Sequence, residues 1–191
     1  MILNVLESRN KTVDGCRLLA VILLLALVSS VGRAQSSAAS EAHIRASILY
    51  NLTKFIDWPE WKLGDAQKPF VVGVVGDNSI ADELNDQVRG KQVQGRPIVV
   101  QNVTTVPQAE QCHLLFVENS GRRRFKEMAP KLPAAAVLTV SENPLGDIGI
   151  VIALPLIANR IQIQVDLKAA QNSGLTISSK LLHLALVAHG E

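Results

Sequence analysis

The sequence predicts an α/β fold: a mostly parallel central sheet with helices on both faces and a C-terminal antiparallel hairpin at the edge. Three observations carry that expectation. Short apolar runs such as Phe70–Val75 (FVVGVV) and 113–118 (HLLFVE) suit strands buried on both faces, as parallel sheets require. Helical patterns separate these runs, and strand–helix–strand alternation implies right-handed crossovers. Near the C-terminus the pattern changes. Ile161, Ile163 and Val165 alternate with Gln162 and Gln164, which marks a half-solvated antiparallel strand.

In chain order, residues 1–34 read as a cleaved signal peptide. Arg9, Lys11 and Arg17 precede an apolar run over 18–28, and Gly32-Arg33-Ala34 offers the small residues a signal peptidase reads. A run of that length is short for a membrane-spanning anchor, the alternative reading. The segment carries four of the 19 Lys and Arg residues and two of the 17 Asp and Glu residues, so the remaining chain is charge-balanced. That balance argues against nucleic acid or an anionic membrane surface as partner. Cys16 also leaves with the signal, so only Cys112 remains and no internal disulfide can close. Residues 35–40 form a flexible lead-in, and 41–190 a single domain large enough to bury its own core.

The domain opens with a helix from Ser40, a suitable N-cap, with Ile44, Ile48, Leu52 and Phe55 at helical spacing. Asp57-Trp58-Pro59 ends it, because proline disfavours helical geometry in the residue before it. Trp58 and Trp61, the only two tryptophans, thus reach a tight corner, with Trp61 on a loop that continues over 62–68. After strand Phe70–Val75 come a helix over 80–88, strands over 97–103 and 113–118, a helix over 122–131 and a strand over 136–141. Segments 148–153 and 161–165 form the expected edge hairpin. A short helix Leu167–Asn172 follows, then Gly174 as a break, then a final helix over 177–188. That last helix is apolar around most of its circumference, which predicts a homodimer with Leu186 and Val187 as candidate contacts.

The search for chemistry yields little. Gly73-Val74-Val75-Gly76-Asp77 lacks the glycine spacing of a dinucleotide site and reads as a strand-end turn. None of the four histidines has a partner at metal-ligand spacing. Ser178, with no nucleophile elbow around it, reads as a helix cap. The expectation is a non-enzymatic protein without cofactor or metal. Two features remain. Arg45 sits on the apolar face of the first helix, either snorkelling from its edge or forming a buried pair with a carboxylate such as Asp166. Trp58 and Trp61 are either a core lid or a contact for a partner or ligand.

Glu41, Arg45, Tyr50-Asn51-Leu52, Lys54-Phe55 and Trp58-Pro59 resemble the opening signature of the YfiR family. The resemblance continues through Gly90-Lys91, Cys112-His113-Leu114-Leu115-Phe116, Ile161-Gln162-Ile163-Gln164-Val165-Asp166-Leu167 and Ser178-Ser179-Lys180-Leu181-Leu182-His183. It implies a periplasmic regulator that binds and represses an inner-membrane signalling protein, in the best-known case a diguanylate cyclase. The partner would be that protein's periplasmic portion, with an outer-membrane lipoprotein as a second partner that sequesters the regulator. The different-class alternative is a periplasmic small-molecule-binding sensor module with its ligand beside Trp58. Two departures stand out. The disulfide-forming cysteines of the best-known member are missing, and Asn143-Pro144-Leu145-Gly146-Asp147-Ile148 replaces a family segment that often carries an aromatic.

Overall fold

The structure, a computed structural model, describes residues 39–188, with Val187 and Ala188 described by backbone alone. The chain divides after Glu41, and the fold below is that of the unit beginning at Ala42, together with the few described residues before it. The proposed signal peptide lies outside the described residues.

The first element is helix α1 (39–52), followed by strand β1 (Ile56–Asp57) and the short helix α2 (Glu60–Leu63). Strand β2 (Phe70–Val75), helix α3 (Ala81–Val88), strands β3 (Gln92–Val93) and β4 (Arg96–Asn102), and helix α4 (Val106–Gln111) come next. Strand β5 (Leu114–Val117), helix α5 (Arg122–Met128) and strand β6 (Leu138–Ser141) complete the parallel part. The remainder consists of β7 (Ile152–Ala153), β8 (Leu156–Ile157), β9 (Arg160–Ile161), β10 (Gln164–Asp166), α6 (Leu167–Asn172), β11 (Thr176–Ile177), α7 (Ser179–Leu182) and β12 (Leu186–Ala188).

Eight strands form one sheet in the order β12-β10-β7-β6-β5-β2-β4-β3. The run β7-β6-β5-β2-β4 is parallel throughout, as its apolar strands predict. Side chains alternate between its faces. Phe70, Val72, Val74, Leu114, Phe116, Leu138 and Val140 pack with α1 and α3, while Val75, Leu115, Val117 and Val137 pack with α4 and α5. Helices therefore cover both faces.

The antiparallel hairpin is present, with β7 pairing β10 and a smaller β8–β9 ribbon at its tip. It is not the edge of the sheet, however. The residues expected to form the final helix instead make β11, the single turn α7 and β12, which pairs in parallel with β10. Sheet pairing wins over the helical pattern here because backbone groups of 186–188 complete the ladder offered by Gln164–Asp166. An apolar helix circumference therefore does not exist.

Helix α1 stops five residues before the predicted corner. Thr53 turns its hydroxyl back onto the carbonyl of Tyr50 at 2.6 Å, and the backbone then tightens into three-residue hydrogen bonds. Residues 56–57 are free to pair with β11, Ile56 against Ile177. The buried face of α1 carries Ala46, Leu49 and Leu52, whereas Ile44 is exposed, so the apolar stripe is rotated from the predicted one.

Candidate functional site

Pro59 does begin an element: with extended backbone it N-caps α2, the helix that carries Trp61. Trp61 is therefore helical rather than on a loop, and it is 65% exposed. Trp58, three residues earlier, is 5% exposed. Its ring meets Phe70 edge-on at 5.0 Å, and its indole N–H donates to the carbonyl of His113 at 3.1 Å. The two tryptophans thus divide the roles weighed in the sequence. Trp58 closes the core with its polar handle satisfied, and Trp61 faces solvent.

Beside Trp61 lies an open groove of about 470 Å³, lined by Lys62, Lys68, Val71, Glu110 and His113 among others. The Lys62 ammonium donates to the Glu110 carbonyl at 2.7 Å, and burial pulls its pKa down to about 8. His113 is 6% exposed and stacks on Phe70 at 4.6 Å. Its Nδ1 accepts from the Val71 amide at 3.0 Å, so the neutral ring carries its proton on Nε2. Burial first, and then the Lys62 charge, push its pKa down to about 4. Nε2 is buried without a hydrogen-bond partner among the described residues.

Arg45 is buried at 7% exposure. It donates to the Glu142 carboxylate at 3.5 Å and to the carbonyl of Leu154 at 3.3 Å. Glu142 thus stands where Asp166 was expected. The Asp166 carboxylate is turned to another task, accepting from the Ala169 amide at 2.8 Å as N-cap of α6. Glu142 lies far from Asp166 in sequence, at the end of β6, and only the register of the sheet brings it to Arg45.

Leu186 is 60% exposed on β12, near the exposed Leu184 and Ile157. Val187 pairs in register with Val165, and its side chain lies outside the described residues. The tryptophan corner and this edge are separate surfaces. The segment over 143–148 is tied down by Arg122, whose Nε and second guanidinium nitrogen both donate to Asp147.

A third locus escaped the sequence reading. The chain leaves β2 toward β4 and leaves β5 toward β6, on opposite sides, which makes the C-terminal ends of β2 and β5 a topological switch point. Such crevices are where open α/β sheets bind ligands. Here Glu118 is buried with its carboxylate there, accepting from the amides of Asn78 at 2.7 Å and Ile80 at 3.1 Å and from the Ser79 hydroxyl at 2.9 Å. Desolvation raises the Glu118 pKa, and hydrogen bonding to Glu118 lowers that of Asp77. The signal was available in the Gly-Asp-Asn-Ser turn after β2, though nothing nearby in sequence pointed to Glu118.

Among the described residues no group of three His, Cys, Asp or Glu side chains could hold a metal, and no helix is long and apolar enough to cross a membrane. A family model described as YfiR/HmsC-like matches residues 42–186. No curated protein matches the chain. Among solved structures, a conserved domain protein from Vibrio cholerae aligns at TM-score 0.50 and 13% identity over 63% of this chain and 55% of that one. A Streptococcus pneumonia ABC domain in complex with L-Trp aligns at TM-score 0.48 and 10% identity, with the same coverage. The chain thus spans about half the length of the solved structures it matches, and at these identities the first likeness speaks for the fold alone.

Proposed function

The chain belongs to the YfiR/HmsC-like family, and on that premise we propose that it is a periplasmic, non-enzymatic regulator that binds and represses an inner-membrane signalling protein, a diguanylate cyclase. The observation that carries this reading is the family match over 42–186, nearly the whole folded unit. Export through a cleaved signal peptide over 1–34 belongs to it, as does a single domain over 41–190. Trp61 is the proposed anchor for the partner's periplasmic portion: a large exposed indole held on a short helix whose start is fixed by proline. Exposed Leu184 and Leu186 supply the surface for the homodimer and for an outer-membrane lipoprotein that competes for the regulator. The test is reconstitution. Membrane vesicles holding a cyclase encoded beside this chain should make less cyclic di-GMP when the purified chain occupies the periplasmic side, and Trp61→Ala should relieve the effect. Unchanged synthesis with the wild-type chain would refute the reading.

A second reading, a small-molecule-binding sensor module, is favoured by one specific observation: the groove beside Trp61 brings an exposed indole, two lysines and a buried histidine together.

A further inference from the structure

We propose that the groove between α2 and the β2–β5 strand starts binds a small aromatic carboxylate, with its ring on Trp61 and its anionic end at Lys62. This rests on the sensor reading and gives it a ligand class.

The walls of the groove set the body of the ligand. Trp61, Leu63, Pro69, Val71 and Ala135 give a largely apolar lining, and an exposed indole face beside it favours a flat ring. Its volume of about 470 Å³ is that of a site for a small organic molecule rather than for a peptide segment.

The charged groups set the other end. Lys62 and Lys68 oppose the single carboxylate of Glu110, so the lining carries one net positive charge with His113 neutral. Lys62 uses one of its three donors on the Glu110 carbonyl, which fixes the ammonium at the groove and leaves donors for a ligand. Burial that lowers its pKa also marks it as a cation short of solvent, which an anion would compensate.

His113 adds an independent sign. Of the buried side-chain polar atoms without a hydrogen-bond partner among the described residues, one belongs to a groove-lining residue, and it is Nε2 of this ring. With Nδ1 accepting from Val71, that nitrogen is a donor. Among the groove's polar side chains Lys62, Lys68 and the His113 Nε2–H are donors, Glu110 is an acceptor and Gln111 can be either, so a ligand that satisfies the buried donors supplies acceptors. A carboxylate does so best, because charge-assisted hydrogen bonds are roughly twice as strong as neutral ones.

The experiment titrates the purified chain with benzoate, benzamide and benzylamine, which share a ring and differ in charge. Trp61 fluorescence is read alongside calorimetry. Benzoate should quench saturably, and benzamide should bind at least about tenfold more weakly. Lys62→Met should weaken benzoate by a similar factor, and Trp61→Ala should abolish the signal in both methods. His113→Asn keeps an acceptor for Val71 and should weaken benzoate while leaving the fold intact. Should that variant unfold, Lys62→Met decides the matter. Preference for benzamide or benzylamine over benzoate overturns the ligand class and leaves the sensor reading standing. Binding of none of the three overturns both. Benzoate binding unchanged by Lys62→Met and Trp61→Ala places the site elsewhere and overturns the proposal.

Discussion

Val71 and His113 exchange two hydrogen bonds across the start of β2 and β5. The His113 amide donates to the Val71 carbonyl at 2.9 Å, and the Val71 amide donates to the His113 ring at 3.0 Å. A side chain here takes the place of a backbone acceptor at the end of a parallel ladder. The bond exists only while Nδ1 is unprotonated.

That dependence predicts acid sensitivity. The His113 pKa is about 4 in the folded chain against an ordinary 6.5, so between those values the unfolded chain binds a proton that the folded chain refuses. The associated stability is complete above about pH 6.5 and is lost as pH falls toward about 4, at a cost of about 2 kcal/mol after discounting for solvent screening. Thermal melts across this range should show the loss, and His113→Asn should flatten it. A wild-type melting temperature unchanged down to about pH 4 would contradict the assignment.

The tryptophans should separate by mutation. Trp58→Ala removes a buried ring and leaves the His113 carbonyl with one fewer donor, and should destabilise by about 3–5 kcal/mol. Trp61→Ala should change stability by less than about 0.5 kcal/mol, as surface substitutions do. In partner binding the order reverses, with Trp61→Ala costing more than about 2 kcal/mol. Chemical denaturation and affinity measurement of both variants check this, and equal stability losses would mean that the exposed indole is part of the core.

Cys112 should be silent. It is buried, burial pushes its pKa up to about 11, and its thiol donates to the Gln108 carbonyl at 3.3 Å. In a chain cut after residue 34, denatured protein should titrate as one thiol, whereas native protein at about pH 8 should label only as fast as it opens. Rapid native labelling would show that the α4–β5 junction is looser than described.

Two glycines should resist substitution for different reasons. A Cβ on Gly73 would lie 2.6 Å from the Cys112 sulfur and 2.7 Å from Val103, side chains that can yield, so Gly73→Ala should cost about 1–3 kcal/mol. At Gly121 it would lie 2.0 Å from the Val75 carbonyl oxygen, which is backbone and cannot yield. Gly121→Ala should cost more than about 4 kcal/mol, and comparable melting temperatures for the two variants would contradict this.

The proposed self-association rests on exposed residues of the β12 side rather than on a helix. Light scattering should find a dimer that Leu184→Glu together with Leu186→Glu converts to monomer without loss of melting temperature. A monomeric wild-type chain at micromolar concentration would remove the dimer.

The parallel sheet was legible because β2, β5 and β6 at its centre are buried almost throughout, and such strands write themselves as largely apolar runs. The helix Leu167–Asn172 was legible from its composition and the glycine after it. Helix α4 was missed although Thr105 and Gln108 form a capping box with proline near the start, a signature readable from Thr-x-x-Gln alone. The C-terminal segment misled because leucine and alanine favour helices locally, while its fate was decided by an open edge on β10 that no local pattern announces. Arg45 left a snorkelling side chain and a buried ion pair both open, and even for the pair the choice between Asp166 and Glu142 depends on sheet register, with the Asp166 carboxylate occupied as a helix cap.

Glu118 gives the molecule its own internal counter-ion. Gly76, without a side chain, leaves room for the carboxylate, and the amides and hydroxyl that receive it are the kind of cradle a phosphate would otherwise enter. A phosphorylated metabolite arriving at that crevice would meet a like charge already seated among the donors it needs. The donors at this crevice are thus already answered by a side chain of the protein itself.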